Sequence, residues 1–94
     1  MKLLAIRLTE DRKEHIARHS VEPEEVEEVI RARPLIRRGR GRGEKKSYQA
    51  FGQTAAGRYL FVVFRPEPEH KAFIITARDM TGAERKRYRE VHRP

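Results

Sequence analysis

The chain has 94 residues, which is enough for one domain, spanning residues 1–94, with one modest hydrophobic core. Charged residues make up 38% of it, and 22 lysines and arginines against 14 acidic residues give a formal net charge of +8 at pH 7. A basic domain of this size suits a polyanion, most commonly nucleic acid. No segment is long and apolar enough to span a membrane, and no basic helix has the broad apolar face that binding to a membrane surface requires.

The residue content argues against several kinds of chemistry. The sequence contains no cysteine, so we expect neither a disulfide framework nor thiol chemistry. The four histidines and the carboxylates lack the spacing of metal ligands, so the sequence predicts no metal site and no other cofactor. The apolar stretch within residues 1–7 is too short for a signal peptide, and charged residues interrupt it too early. The expected location is therefore the cytoplasm.

The first third of the chain predicts a strand followed by two helices. Residues 2–8 form a short apolar strand or arm, and Thr9 is suited to cap a helix that reaches about Arg18. Pro23 fits the first position of a second helix, whose first turn is rich in glutamate, and Pro34 ends that helix.

Residues 31–46 carry almost all of the excess positive charge, with eight lysines and arginines against one glutamate, a local net charge of 8 − 1 = +7. Glycines alternate with arginines at positions 37–43, which predicts a flexible loop. Such runs bind phosphate with an affinity that falls as salt rises, and they also become ordered against acidic partners. The candidate nucleic-acid contacts in this segment are Arg38, Arg40, Arg42 and Lys46.

The second half predicts three antiparallel strands and a helix. The strands lie at 46–52, 59–64 and 72–77, and residues 66–70 form a turn because of their two prolines. Thr81 and the glutamate three residues later have the spacing of a helix capping box. The predicted class is therefore α+β, a small antiparallel sheet of three to four strands with two N-terminal helices and one C-terminal helix.

Three segments together resemble the BrnT-like toxins of type II toxin–antitoxin systems, which have the RelE-like fold. The segments run from Glu14 to Val26, from Gly52 to Val63 and from Thr76 to Tyr88. The resemblance implies a metal-independent ribonuclease that arrests translation by acting on RNA. It also implies an antitoxin, usually a DNA-binding protein encoded next to the toxin, and hence a toxin–antitoxin hetero-oligomer, with a dimer as the alternative assembly.

The sequence departs from the family pattern at three places. Ser20 stands where the family commonly has glycine, and Leu8-Thr9 stands near its usual Trp-Asp. Lys46-Ser47 replaces a Glu-Arg pair at the start of the first hairpin strand. The last departure favours the alternative that the chain is a catalytically inactive module, on the same fold, that binds nucleic acid or the antitoxin.

Cleavage of RNA without a metal requires a base, an acid and cations that stabilise the charge developing on the phosphate. Arg78 ends an apolar strand and lies within the resemblance, so it is the leading catalytic candidate; the alternative is a partner for Glu84 or Asp79. Arg58 opens the central strand and is either a second catalytic arginine or a solvated strand end. His19 lies between two helices and is either an acid or base, or a helix-capping residue.

The last helix adds two candidates for contact with RNA. Tyr88 has an aromatic ring that can stack on a base, although core packing explains it equally. Arg85 is either a phosphate contact or part of a solvated helix face. The nuclease hypothesis depends on Arg78, Arg58 and His19 converging on one place where a ribose-phosphate can bind.

Overall fold

The computed structural model describes residues 1–92. Its helices and strands are β1 (Ala5–Arg7), α1 (Glu10–Ala17), α2 (Pro23–Arg31), β2 (Leu35–Arg38), β3 (Tyr48–Gln53), β4 (Tyr59–Glu67), β5 (Lys71–Asp79) and α3 (Gly82–Val91). Two short 3₁₀ turns lie at Gly43–Lys45 and Pro68–His70.

The five strands form one sheet in the order β1-β5-β4-β3-β2. Strand β1 is parallel to β5, and the other neighbours are antiparallel. The predicted α+β class is confirmed, with two helices before the β2–β5 strands and one after them. The prediction of an antiparallel sheet with three to four strands is wrong, because the sheet is mixed and has five.

Strand β2 accounts for part of this difference, since the predicted flexible loop includes Arg37 and Arg38 and the structure places both in a strand. Ile36 lies opposite Ala50 of β3 and packs against the core, which anchors the strand. Within residues 1–92, one side of β2 has no neighbouring strand, and edge strands commonly carry charged residues. The charge of this segment therefore concealed a short strand.

Pro66 marks a second difference, because it lies inside β4 rather than in a turn. The pairing of β3 with β4 ends where Tyr48 lies opposite Phe64. At Pro66, β4 is therefore bordered by β5 alone, which is the edge-like position that a proline in a strand requires.

The two faces of the sheet are covered differently. Helices α1 and α2 pack on one face and form the main core, in which the side chains of Ile16, Val26, Phe64 and Ile74 are fully buried. The opposite face carries a smaller apolar cluster built on Phe51, Phe61 and Met80, and Tyr88 of α3 packs against it. Helix α3 has no fully buried residue, so it leaves a cleft above the sheet.

Two predicted helix caps are confirmed. The hydroxyl of Thr9 accepts a hydrogen bond from the backbone N–H of Arg12 at 3.3 Å. The hydroxyl of Thr81 accepts from the N–H of Glu84 at 3.2 Å, and the Glu84 carboxylate accepts from the N–H of Thr81 at 2.8 Å. The second cap fixes the start of α3 immediately after β5.

None of the helices in the described part of the chain has the length and apolar character needed to cross a bilayer.

Candidate active site

Arg78 lies at the rim of the sheet on the face covered by α3. It is opposite Phe61 of β4, and its guanidinium carbon is 4.1 Å from the centroid of that ring. Nη1 and Nη2 donate to the two carboxylate oxygens of Glu84 at 2.8 and 3.1 Å, and Nη1 also donates to the carbonyl of Asp79 at 2.9 Å. The ring and the carboxylate thus hold the guanidinium in one orientation.

Arg78 retains capacity to bind an anion. A guanidinium has five N–H donors. The three hydrogen bonds just described leave two of these donors without an acceptor among residues 1–92, and the side chain is 35% exposed. An arginine held in place with donors to spare can grip a phosphate at little cost in ordering.

Glu84 links this arginine to the start of α3. The hydrogen bonds from Arg78 are the main reason why the pKa of Glu84 lies below its ordinary value, against the opposing effect of burial. A carboxylate with a lowered pKa is a poor proton acceptor, which argues against a role as general base. Glu84 instead fixes Arg78 relative to the helix.

Arg58 is bonded quite differently, because all five of its donors are taken. It donates to both carboxylate oxygens of Asp79, to the carboxylate of Glu25, and to the carbonyls of His19 and Ser20, over 2.7 to 3.2 Å. The hydrogen bonds to Asp79 are the largest reason why the pKa of Arg58 is raised. This guanidinium joins the α1–α2 connection to the end of β5 and has no donor left for a substrate.

The α1–α2 connection explains one departure from the family pattern. Ser20 has a φ of 58°, in the left-handed region that glycine adopts most easily. Its carbonyl accepts a hydrogen bond of 2.7 Å from Arg58. The backbone at this position therefore suits glycine, the residue that the sequence resemblance leads us to expect, and here the bond from Arg58 helps to hold serine in the same conformation.

The three predicted catalytic residues do not converge. Arg78 and Asp79 are neighbours in one strand, so their side chains point to opposite faces of the sheet. Arg58 follows Asp79 to the side of α1 and α2, away from Arg78. The ring of His19 is exposed on that same side and lies edge-on to His15, with ring centroids 5.7 Å apart. The prediction of a single site shared by Arg78, Arg58 and His19 is wrong.

The face with Arg78 instead gathers residues from α3. Tyr88 packs edge-on against Tyr59 with ring centroids 5.9 Å apart, and the guanidinium carbon of Arg85 is 4.7 Å from the centroid of the Tyr59 ring. Burial is the main cause that raises the pKa of Tyr88. Of the predicted RNA contacts, Arg85 and Tyr88 thus lie on the face that carries Arg78.

A cleft of about 320 Å³ separates α3 from β2 and β3 on this face. Its lining comprises Leu35, Arg37, Gln49, Phe51, Ala83, Glu84, Arg87 and Tyr88. Because Glu84 lines the cleft and also binds Arg78, the cleft and the arginine adjoin. Sequence reasoning missed Arg37, Gln49 and Arg87, since their proximity depends on the pairing of β2 with β3.

The basic segment after β2 is folded, which corrects the prediction of a flexible loop. The guanidinium of Arg38 donates to the carbonyls of Gly39 and Ser47, at 2.6 and 3.0 Å. The hydroxyl of Ser47, which is buried, donates to the carbonyl of Arg40 at 2.6 Å. At Gly41, with a φ of 95°, a Cβ atom would come within 1.9 Å of the Lys45 carbonyl oxygen.

The predicted RNA contacts of this segment therefore differ in their surroundings. Arg38 donates to loop carbonyls and also lies over the ring of Tyr48, so it serves mainly to hold the loop together. Arg40, Arg42 and Lys46 are exposed, and their side chains form no ion pair in the part of the chain that the structure describes. Those three remain candidate phosphate contacts.

Two ion pairs predict that acid destabilises the fold. Asp79, bonded to Arg58, and Glu84, bonded to Arg78, have pKa values below their ordinary 3.8 and 4.5. A lowered pKa in the folded state contributes stability that is complete above the ordinary pKa and is lost as pH falls through the folded pKa.

We therefore expect the free energy of unfolding, measured with urea, to be nearly constant down to about pH 5 and to decrease towards about pH 3. The substitution Asp79→Asn should make that decrease shallower. Equal free energies of unfolding at about pH 5 and about pH 3 would contradict the prediction.

The fold and this site define a small, basic α+β protein with an anchored arginine at a sheet rim beside a cleft. The family model described as "ribonuclease toxin, BrnT, of type II toxin-antitoxin system" matches residues 9–84, and the chain belongs to this family. No curated protein matches the sequence. The match confirms the resemblance, and it includes Arg58, Arg78 and Glu84 but ends before Arg85 and Tyr88. Membership of a type II system implies an antitoxin partner.

Proposed function

We propose that this chain is an endoribonuclease that cleaves RNA without a metal ion and thereby inhibits translation. The proposal depends on the hydrogen bonding of Arg78. Its guanidinium is held in place by Glu84 and the Phe61 ring, yet two of its N–H donors stay available to an anion. In this mechanism the 2′ oxygen attacks the scissile phosphorus, its proton passes to water and the bond to the 5′ oxygen breaks, while Arg78 binds the phosphate and stabilises the negative charge that builds on it.

Tyr88 has the chemistry to assist the leaving group. Its hydroxyl, like that of any tyrosine, is protonated at neutral pH, so it can donate a hydrogen bond to the departing 5′ oxygen. Arg85 on the same helix adds positive charge near the phosphate chain. His19, predicted from the sequence as an acid or base, lies on the other side of the sheet from Arg78 and takes no part in this mechanism.

The folded basic loop supports the proposal because its exposed positive charges attract RNA. Arg40, Arg42 and Lys46 project from a loop whose backbone is fixed by Arg38, so their charge is presented from a defined place. Fixed positive charge raises the local concentration of a polyanion and its rate of association. The strength of this attraction should fall as the salt concentration rises.

Expression of the chain alone, with and without the neighbouring reading frame, tests the cellular role. We expect growth arrest from the chain alone. We also expect recovery when the neighbouring frame encodes the antitoxin, which we propose to be a DNA-binding protein. Unimpaired growth with folded protein present at a high level would contradict a toxic activity.

Incubation of the purified protein with RNA in excess EDTA tests the chemistry. We expect discrete RNA fragments that accumulate at a rate unaffected by the chelator. Salt-dependent binding without any cleavage would contradict the proposal and support the alternative of a catalytically inactive module that binds nucleic acid.

A further inference from the structure

The floor of the cleft consists of two pairs of side chains on neighbouring strands. Leu35 of β2 lies opposite Phe51 of β3, and Arg37 lies opposite Gln49. Residues opposite each other in an antiparallel pair project from the same face, and all four line the cleft. The apolar pair of Leu35 and Phe51 thus lies beside the polar pair of Arg37 and Gln49, which is two residues further along each strand.

Helix α3 closes the cleft from above with Tyr88 and Arg87. The volume of about 320 Å³ places the cleft among the smaller ligand sites of proteins, which suits one planar base rather than a longer ligand. Unpaired RNA bases are recognised by stacking on aromatic side chains, together with hydrogen bonds to their edges. Tyr88, which also stacks on His92 with ring centroids 4.4 Å apart, supplies the aromatic surface, and Leu35 with the 7% exposed Phe51 forms an apolar floor beside the polar pair.

The polar pair indicates which base. Neither Arg37 nor Gln49 uses its side chain in a hydrogen bond to another group within residues 1–92, so both can bind a ligand. Arginine donates two parallel hydrogen bonds to N7 and O6 of guanine, and glutamine matches N7 and the N6 amino group of adenine. Both patterns require N7, which pyrimidines lack.

We infer that the cleft is a purine-binding subsite, an inference that rests on the proposed ribonuclease function. Glu84 connects the subsite to Arg78, since it lines the cleft and holds that guanidinium. The cleft therefore adjoins the guanidinium that we propose binds the scissile phosphate. The chain cleaves RNA at a bond next to a purine, and Arg37 and Gln49 determine this preference.

Binding of mononucleotides tests the subsite without requiring cleavage. Isotope-labelled protein is titrated with AMP, GMP, CMP and UMP, and the side-chain amide resonance of Gln49 is followed by NMR. We expect AMP and GMP to shift this resonance and to bind roughly tenfold more tightly than CMP and UMP. Equal affinities for all four nucleotides, or shifts confined to residues outside the cleft, would overturn the inference.

Substitution of Gln49 provides the matched comparison. Gln49→Leu should abolish the advantage of AMP over CMP, whereas Gln53→Leu should preserve it, because Gln53 is exposed at the end of the same strand and bonds to the Gly57 carbonyl. Should Gln49→Leu fail to fold, Gln49→Glu keeps a polar side chain opposite Arg37 and removes the amide donor to N7. A purine preference that survives in the folded variant would overturn the inference.

Mapping the cleavage sites in RNA separates this inference from the proposed function. Cleavage next to purines by the unaltered chain, with the preference lost in Gln49→Leu, supports both. Cleavage without regard to the neighbouring base overturns the subsite and leaves the nuclease intact. Purine-selective binding without cleavage overturns the nuclease, whereas the cleft is then still a purine site in a binding protein.

Discussion

Replacement of Arg78 by alanine is expected to lower the rate of RNA cleavage by roughly 10²–10³, the usual effect of removing one group that stabilises a developing negative charge. The fold should survive, because the side chain is 35% exposed and Glu84 keeps its hydrogen bond from the Thr81 N–H. Arg78→Lys should recover only part of the rate, since lysine keeps the charge but lacks the planar fork. The measurement is the cleavage rate of each purified variant on one RNA.

Arg7 offers a matched control for this substitution. It also pairs with a glutamate, Glu67, at 2.6 Å, and its guanidinium carbon lies 4.3 Å from the centroid of the Phe73 ring. It belongs to β1, which lies at the opposite edge of the sheet from β2 and the cleft. Arg7→Ala should therefore leave cleavage unchanged. Equal losses in both variants would mean that the assigned site is wrong.

Replacement of Arg58 by alanine is expected to destabilise the fold by roughly 2–3 kcal/mol, because it leaves carbonyl groups and carboxylates of several elements without their donor. The carbonyls belong to His19 and Ser20, and the carboxylates to Glu25 and Asp79. Urea unfolding gives the change in free energy. Arg58→Lys should lie between the original chain and the alanine variant, since lysine has fewer donors.

The same variant distinguishes a structural from a catalytic Arg58. If the role is structural, the cleavage rate per folded molecule should be unchanged at a temperature well below the unfolding midpoint. A folded Arg58→Ala protein that no longer cleaves RNA would restore the sequence-based prediction of a catalytic role. A loss of less than about 0.5 kcal/mol in the free energy of unfolding would contradict the role of Arg58 in joining the α1–α2 connection to the sheet.

Features encoded by neighbouring residues could be predicted from the sequence. The capping box of α3 depends on Thr81 and Glu84, three positions apart, and the start of α2 depends on Pro23. Both were visible without any tertiary information. Arg78 was predicted from its position at the end of an apolar strand, the resemblance covers the same residue, and the structure places it at the rim of the sheet.

Features that depend on strand pairing could not be predicted in the same way. Strand β2 is short and carries two arginines, so only its pairing with β3 defines it. Arg58 lies apart from Arg78 because it binds Asp79, and the side chain of Asp79 projects from the face of β5 opposite to the face that carries Arg78. The order of the basic loop depends on Arg38 bonding to backbone carbonyls, for which no residue pattern exists.

Neighbouring side chains of β2 project from opposite faces of the sheet, and this links the folded loop to the proposed selection of a base. Arg37 lines the cleft, while the next residue, Arg38, holds the loop. Just beyond them, the N–H of Gly39 donates a hydrogen bond of 2.9 Å to the carbonyl of Ser47 and ties the two strands together. A slip of one position in β2 would exchange the faces of these arginines and turn Leu35 away from Phe51. The length of the loop therefore sets which side chains meet a base, even though the loop itself lies outside the cleft.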